Sequence, residues 1–130
     1  MIAAALWSLP LLLSAVFYSV DAHAQDSQRG ERLYEARCGG CHSLDKNRVG
    51  PMHRGVVGRK VATVAGYRYS KALAAKNFIW DEALLDAWLT APAKLAPGTA
   101  MGFRVADATD RKDIIAYLAA NSPAKPSASR

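Results

Sequence analysis

The chain has 130 residues, with 51% hydrophobic and 22% charged side chains and a formal net charge of +6. This composition excludes disorder over the whole length and excludes a protein with several membrane spans. The basic residues are scattered and form no run longer than two, so the charge favours acidic protein surfaces as partners, and no nucleic-acid partner is expected.

The first 24 residues are largely apolar and end in Ala22-His23-Ala24. Small residues such as Ala22 and Ala24, three positions and one position before the cleaved bond, are typical of a signal-peptidase site. They predict a signal peptide over 1–24 and an exported protein. No Lys or Arg precedes the apolar run, so an uncleaved membrane anchor is the alternative. The mature domain is expected over 25–121, with a flexible Pro/Ser/Ala-rich tail over 122–130, and the roughly 105 residues left after removal of the signal peptide suit one compact core.

Four helical segments are predicted in the mature chain, and no segment alternates with the period of a strand. Glycines recur every few residues from 43 to 69, which favours loops wrapped around a bound group. The predicted fold class is therefore all-α. The helical segments are about 28–37 with Asp26 or Ser27 as N-cap, 70–76, 81–91 ending at Pro92, and a last helix that begins after Asp107 or Thr109 and ends at Asn121.

The segment Cys38-Gly39-Gly40-Cys41-His42 carries the clearest chemistry in the chain. Two thiols at this spacing, Cys38 and Cys41, can add to the two vinyl groups of a porphyrin, and the following imidazole binds its iron. A redox-active disulfide needs no following histidine, and a zinc site needs a second pair of cysteines, which the sequence lacks. The motif therefore predicts one covalently attached haem c with His42 as an iron ligand.

A haem that carries electrons usually has a second axial ligand, and Met52, His53 and Met101 are the candidates. Met52 and His53 follow the attachment motif so closely that the chain would have to pass the porphyrin edge within about ten residues. Met101 lies about 60 residues beyond His42, in a loop after the turn at Pro97-Gly98 that can reach the opposite face. We therefore expect His42 and Met101 to be the axial ligands.

These residues resemble the pattern of a class I soluble cytochrome c of the mitochondrial and α-proteobacterial periplasmic type. The resemblance implies the cytochrome c fold, with three main helices plus short helices and loops around one haem, and an electron carrier that is not an enzyme. The similar residues are Gly30, Tyr34, the attachment motif, Gly50-Pro51, Gly58-Arg59, Tyr67, Tyr69, Trp80, Pro97-Gly98-Thr99, Met101, Phe103 and 113–118.

The resemblance also implies roles for residues around the haem. The Pro51 carbonyl is expected to accept a hydrogen bond from the iron-bound imidazole. Gly30 is expected to let the first helix pass close to Ile114 and Tyr117 in the last. The groups expected to hold the haem propionates are Arg59, Tyr69, Trp80 and Thr99.

Three positions depart from the family pattern. Trp88 stands where relatives usually have a haem-facing tyrosine, so the hydrogen bonding of the Met101 sulfur should differ. His53 stands where leucine is common, and its imidazole is expected either to turn outward or to replace Met101 at high pH. Near the methionine loop the lysine cluster of mitochondrial relatives is reduced to Lys94, so docking on a partner through many lysines is less expected here.

The expected function is single-electron transfer through the haem edge near the thioethers, in the periplasm, by a monomer that docks at membrane complexes of a respiratory or photosynthetic chain. The resemblance implies a quinol-cytochrome c oxidoreductase as donor and a terminal oxidase, reaction centre or dehydrogenase as the other partner. The alternative is a haem enzyme or sensor with an open sixth coordination position, which requires that Met101 does not bind iron.

Overall fold

The computed structural model describes residues 26–123, and the predicted signal peptide over 1–24 and residues 124–130 of the predicted tail lie outside the described residues. Within that part of the chain, β pairing is limited to an isolated antiparallel bridge between Lys60 and Ile79. The predicted all-α fold is confirmed, and the structure has three longer helices and two short ones. The helices are α1 (Ser27–Arg37), α2 (Lys71–Ala74), α3 (Glu82–Thr90), α4 (Pro92–Leu95) and α5 (Ala108–Ala120).

Each of the three longer helices begins at an aspartate cap. A carboxylate at this position accepts a backbone N–H that the first turn leaves free, and its charge interacts favourably with the helix dipole. These starts are therefore determined by residues within one turn of the boundary. The caps are Asp26 on the Arg29 N–H at 2.8 Å, Asp81 on the Leu84 N–H at 2.7 Å and Asp107 on the Asp110 N–H at 2.8 Å.

Pro92 ends one helix and begins another. The sequence predicted that α3 stops before this proline, but it did not predict the short helix α4 that starts there. Proline is favoured at the first position of a helix because its fixed φ suits the turn and no N–H is needed. After α4 the chain reverses at Gly98, whose φ of +90° favours glycine. This reversal carries the loop with Met101 back toward α3.

Helices α1 and α5 cross at Gly30. A Cβ at this position would lie 2.5 Å from the carbonyl carbon of Asp113 and 3.1 Å from the Cβ of Tyr117. The two backbones therefore pass at a distance that only glycine allows. The close approach expected at Gly30 is confirmed.

Two buried carboxylates of α5 pair with arginines of α1 across this crossing. Arg29 contacts both Asp110 and Asp113, and Arg37 lies 2.9 Å from Asp110. The Asp26 N–H also donates to Asp113 at 3.0 Å. Buried carboxylates need several donors to offset the loss of hydration, and here they obtain them from the partner helix. The ion pairs thus hold the register of the two helices.

The apolar core is built from α1, α3, α5 and the loops between them. Trp80 and Trp88 meet edge-on in this core, with ring centroids 5.6 Å apart. The buried core residues include Tyr34, Val56, Val61, Leu85, Leu89, Ala96, Val105, Ile114, Ile115 and Leu118.

In residues 26–123, no helix has the length and apolar character needed to cross a membrane.

Candidate haem site

Cys38 and Cys41 lie in a turn directly after α1, and both are free thiols. The N–H groups of Cys41 and His42 donate to the Cys38 carbonyl at 3.0 and 2.8 Å, which holds the motif in one compact turn. Cys38 is half-buried against the core and Cys41 is exposed. Burial raises the pKa of the Cys38 thiol to about 11. A raised pKa is the opposite of what the reactive cysteine of a redox pair shows.

The His42 imidazole is held at one of its two nitrogens. Its Nδ1 lies 2.8 Å from the Pro51 carbonyl oxygen, which can only accept, so Nδ1 carries the proton and Nε2 keeps its lone pair. Burial lowers the pKa of His42, and the hydrogen bond to Pro51 partly opposes that effect. A neutral imidazole with an available Nε2 is the form that binds a metal.

The Met101 sulfur accepts a hydrogen bond from the indole N–H of Trp88 at 3.2 Å. Trp88 lies in α3 and is buried, whereas Met101 is half-buried in the loop that follows α4. Trp88 therefore acts on this sulfur through an indole N–H, where the family pattern implies a phenol. A thioether has two lone pairs, so this contact leaves one for a metal.

Arg59 and Trp80 are brought together by their backbones. The Trp80 N–H donates to the Arg59 carbonyl at 2.8 Å, and the Trp80 carbonyl accepts from Gly58 at 2.7 Å. The half-buried Arg59 guanidinium donates to the carbonyls of Met52 and Arg54. No carboxylate among residues 26–123 lies within ion-pair distance of it. A half-buried cation without a counterion suits an anionic group such as a propionate.

Tyr69 and Thr99 lie in two other loops. The Tyr69 hydroxyl accepts the Val64 N–H at 3.2 Å and keeps its own hydrogen for another acceptor. Thr99 is half-buried in the turn after α4, where its N–H donates to the Ala96 carbonyl at 3.0 Å. Within the described residues, no hydrogen bond joins either side chain to Arg59 or Trp80. The Tyr69 hydroxyl nevertheless lies near enough to the Arg59 guanidinium to oppose part of the fall that burial causes in the pKa of Arg59.

His53 points into the protein, so the expectation that it turns outward is wrong. Its ring stacks on His42 with centroids 4.0 Å apart and 21° between the planes. Its Nδ1 shares a hydrogen bond of 3.1 Å with the Tyr34 hydroxyl. Replacement of Met101 by His53 would require the ring to leave both contacts. Nothing in the spacing of the motifs indicates this packing, because it depends on how the loop after His42 folds back toward α1.

The family model described as cytochrome c matches residues 27–122 of the chain. The chain belongs to the cytochrome c family. The all-α cytochrome c fold and the class I type implied by the sequence motifs are thereby confirmed.

Similar proteins cover the same part of the chain. Cytochrome c from Euglena viridis is 45% identical over 96 residues, which are 72% of this chain and 94% of that protein. Cytochrome c-type cyt cy from Rhodobacter capsulatus is 43% identical over 72% of this chain and 48% of its own length. The solved structure of cytochrome cH from Methylobacterium extorquens is 43% identical, has a TM-score of 0.68 and covers 72% of this chain and 96% of that chain.

Membership of the cytochrome c family confirms covalent haem c as the cofactor and electron transfer between redox partners as the activity. The described residues fit this group. The two thiols are free, the imidazole is neutral with one nitrogen available, and the Arg59 guanidinium lacks a protein counterion. A partly buried thioether is also present at Met101. The chain thus provides donors for the porphyrin edge, the iron and the propionates.

Proposed function

We propose that this cytochrome is a periplasmic carrier of single electrons, with its haem attached through Cys38 and Cys41 and its iron ligated by His42 and Met101. The observation that carries the proposal is the state of His42, because Nδ1 is bound to the Pro51 carbonyl and Nε2 is left for iron. A haem bound here supplies the one-electron Fe(II)/Fe(III) couple.

The protein's own groups set the properties of that couple. The Pro51 carbonyl orients the His42 ring and increases its donor strength. Trp88 holds the Met101 sulfur through its indole N–H. A methionine ligand stabilises the reduced state, and a buried site disfavours the additional charge of the oxidised state, so we expect a positive reduction potential.

Electrons are proposed to leave through the thioether edge of the haem, where the chain is accessible. Cys41 is exposed, and the Arg48 guanidinium donates to the Gly39 carbonyl inside the attachment motif at 2.7 Å. The neighbouring Val49 has 75% of its surface exposed. A cation and an apolar side chain beside this edge suit brief docking on an acidic surface, with an association rate that falls as salt is added.

The proposed location and partners depend on the first 24 residues and on the basic charge. Export through a signal peptide would place the carrier in the periplasm, with a quinol-oxidising complex as donor and a terminal oxidase, reaction centre or dehydrogenase as the other partner. The mass of the protein purified from a secreting host tests the first step. Cleavage after Ala24 supports a freely diffusing carrier, whereas a retained segment in the membrane fraction supports the anchored alternative.

The proposed ligation is tested by the absorption spectrum of the ferric protein with either methionine replaced. Wild type should show the weak far-red charge-transfer band that methionine coordination of ferric haem produces, and Met101→Ala should lose the band and have a lower reduction potential. Met52→Ala is the matched control, because it removes the other methionine of residues 26–123. A high-spin wild-type spectrum would instead support an open iron site, and loss of the band in Met52→Ala would transfer the ligand role to Met52.

A further inference from the structure

The half-buried histidine beside the iron-binding imidazole, His53, has no role in the site described so far. We propose that His53 is a positioning residue for His42: its stacked ring restricts rotation of the His42 imidazole, and the Tyr34 hydroxyl holds His53 in place. The proposal rests on the proposed ligation of iron by His42. It stands on two contacts, the stacking of the two rings with centroids 4.0 Å apart and the hydrogen bond of 3.1 Å between His53 and Tyr34.

The His42 ring needs a contact of this kind to have one orientation. Its single hydrogen bond, from Nδ1 to Pro51, lies along the ring plane and leaves the ring free to rock about that direction. The Gly50 backbone is close, since a Cβ there would come 2.5 Å from both ring nitrogens, but glycine presents no side chain. In residues 26–123, His53 is the one aromatic side chain stacked on His42. A parallel ring restricts the rocking motion because tilting His42 would bring the two rings into collision.

His53 is itself anchored to the packed helices. Tyr34 belongs to α1, is 4% exposed, and its ring lies 5.3 Å from Tyr117 of α5 and 5.7 Å from His53. The backbone N–H of His53 donates to the Ser43 carbonyl at 3.0 Å, which ties its loop to the residue after His42. Contacts therefore run without a gap from the crossing of α1 and α5 to the His42 imidazole.

A hydrocarbon side chain could fill the volume that His53 occupies without a stacked ring and without the hydrogen bond to Tyr34. Burying an imidazole carries a desolvation cost that a leucine avoids, and the bond to Tyr34 offsets only part of it. What the imidazole adds is a planar face and a polar anchor. The plane of an axial imidazole determines how unpaired electron density is distributed over a ferric porphyrin, and contacts to an axial ligand alter its donor strength. His53 is thus expected to influence the electronic structure of the site through His42.

The test compares the ferric holoprotein of wild type with His53→Leu, His53→Phe and Tyr34→Phe. The haem methyl proton resonances report the plane of the axial imidazole, and a loss of packing elsewhere in the core would not rotate that plane. We expect a clear displacement of these resonances in His53→Leu and a smaller one in His53→Phe, which keeps a planar ring. Tyr34→Phe should move them in the same direction as His53→Leu. Ile115→Val is the control, because Ile115 is buried in α5 and takes no part in these contacts.

Resonances in His53→Leu that match wild type, or that move no more than those of Ile115→Val, would overturn the proposal. If His53→Leu does not incorporate haem, Tyr34→Phe decides by the same criterion, since it removes one hydroxyl and no packing volume. An unchanged spectrum in Tyr34→Phe overturns the anchoring role of Tyr34. Failure of the proposed function is a separate result, because it appears as a wild-type spectrum without histidine and methionine ligation, before any substitution is compared.

Discussion

Replacing Gly30 with alanine tests the close crossing of α1 and α5. The added Cβ would lie 2.5 Å from the Asp113 carbonyl carbon and 3.1 Å from the Tyr117 Cβ, so the helices must separate. Overpacking of this kind costs about 1–3 kcal/mol, and the upper end applies because the obstacle is backbone and cannot rotate away. Alanine returns about 1 kcal/mol through its higher helix propensity. The expected net loss of unfolding free energy is about 2 kcal/mol, which lowers the Tm of a domain of this size by about 8–16 °C.

Thermal and guanidinium unfolding of the ferric holoprotein, followed by circular dichroism, measures this loss. Gly40→Ala is the matched control, because an added Cβ at Gly40 meets no atom within 4 Å. It should change the Tm by only a few degrees. If Gly30→Ala is as stable as wild type, the two helices are able to separate without loss, and the argument that the crossing requires glycine is refuted.

Two further predictions concern single polar contacts. In Trp88→Phe the Met101 sulfur loses its hydrogen bond and becomes a better donor to iron, so the reduction potential should fall. A hydrogen bond contributes about 1 kcal/mol, which corresponds to a fall of at most about 40 mV for a one-electron couple. Voltammetry measures the change, and Trp88→Tyr, which keeps a donor, should fall less. Burial raises the pKa of Asp113, but the bonds from Arg29 and Asp26 outweigh it and hold that pKa below its ordinary value. This stabilisation is present above about pH 4 and is lost as the pH falls through the lowered pKa. Asp113→Asn should therefore have a lower unfolding free energy than wild type at neutral pH, and its unfolding free energy should fall less on acidification. If the unfolding free energies of the two proteins fall in parallel as the pH is lowered, this reasoning is contradicted.

The helix boundaries and the attachment motif could be predicted from the sequence because they depend on residues that are close along the chain. Asp26, Asp81 and Asp107 cap helices through N–H groups three residues away. The short helix α4 was missed because Pro92 was interpreted only as the end of α3, although proline also suits the first turn of a new helix. Rules that depend on neighbouring residues were sufficient for all these boundaries. At Pro92 two such rules apply at once, because proline ends α3 and also suits the first turn of α4.

By itself, the sequence determined the cofactor and the all-α class, since a contiguous motif and local capping specify them without reference to distant residues. Tertiary structure decided what surrounds the site. The stacking of His53 on His42, the indole donor on Met101 and the carboxylates of α5 under the arginines of α1 each join residues that only loop closure brings together. Whether a polar side chain turns inward depends on whether a partner is present there, and such partners come from other elements of the fold.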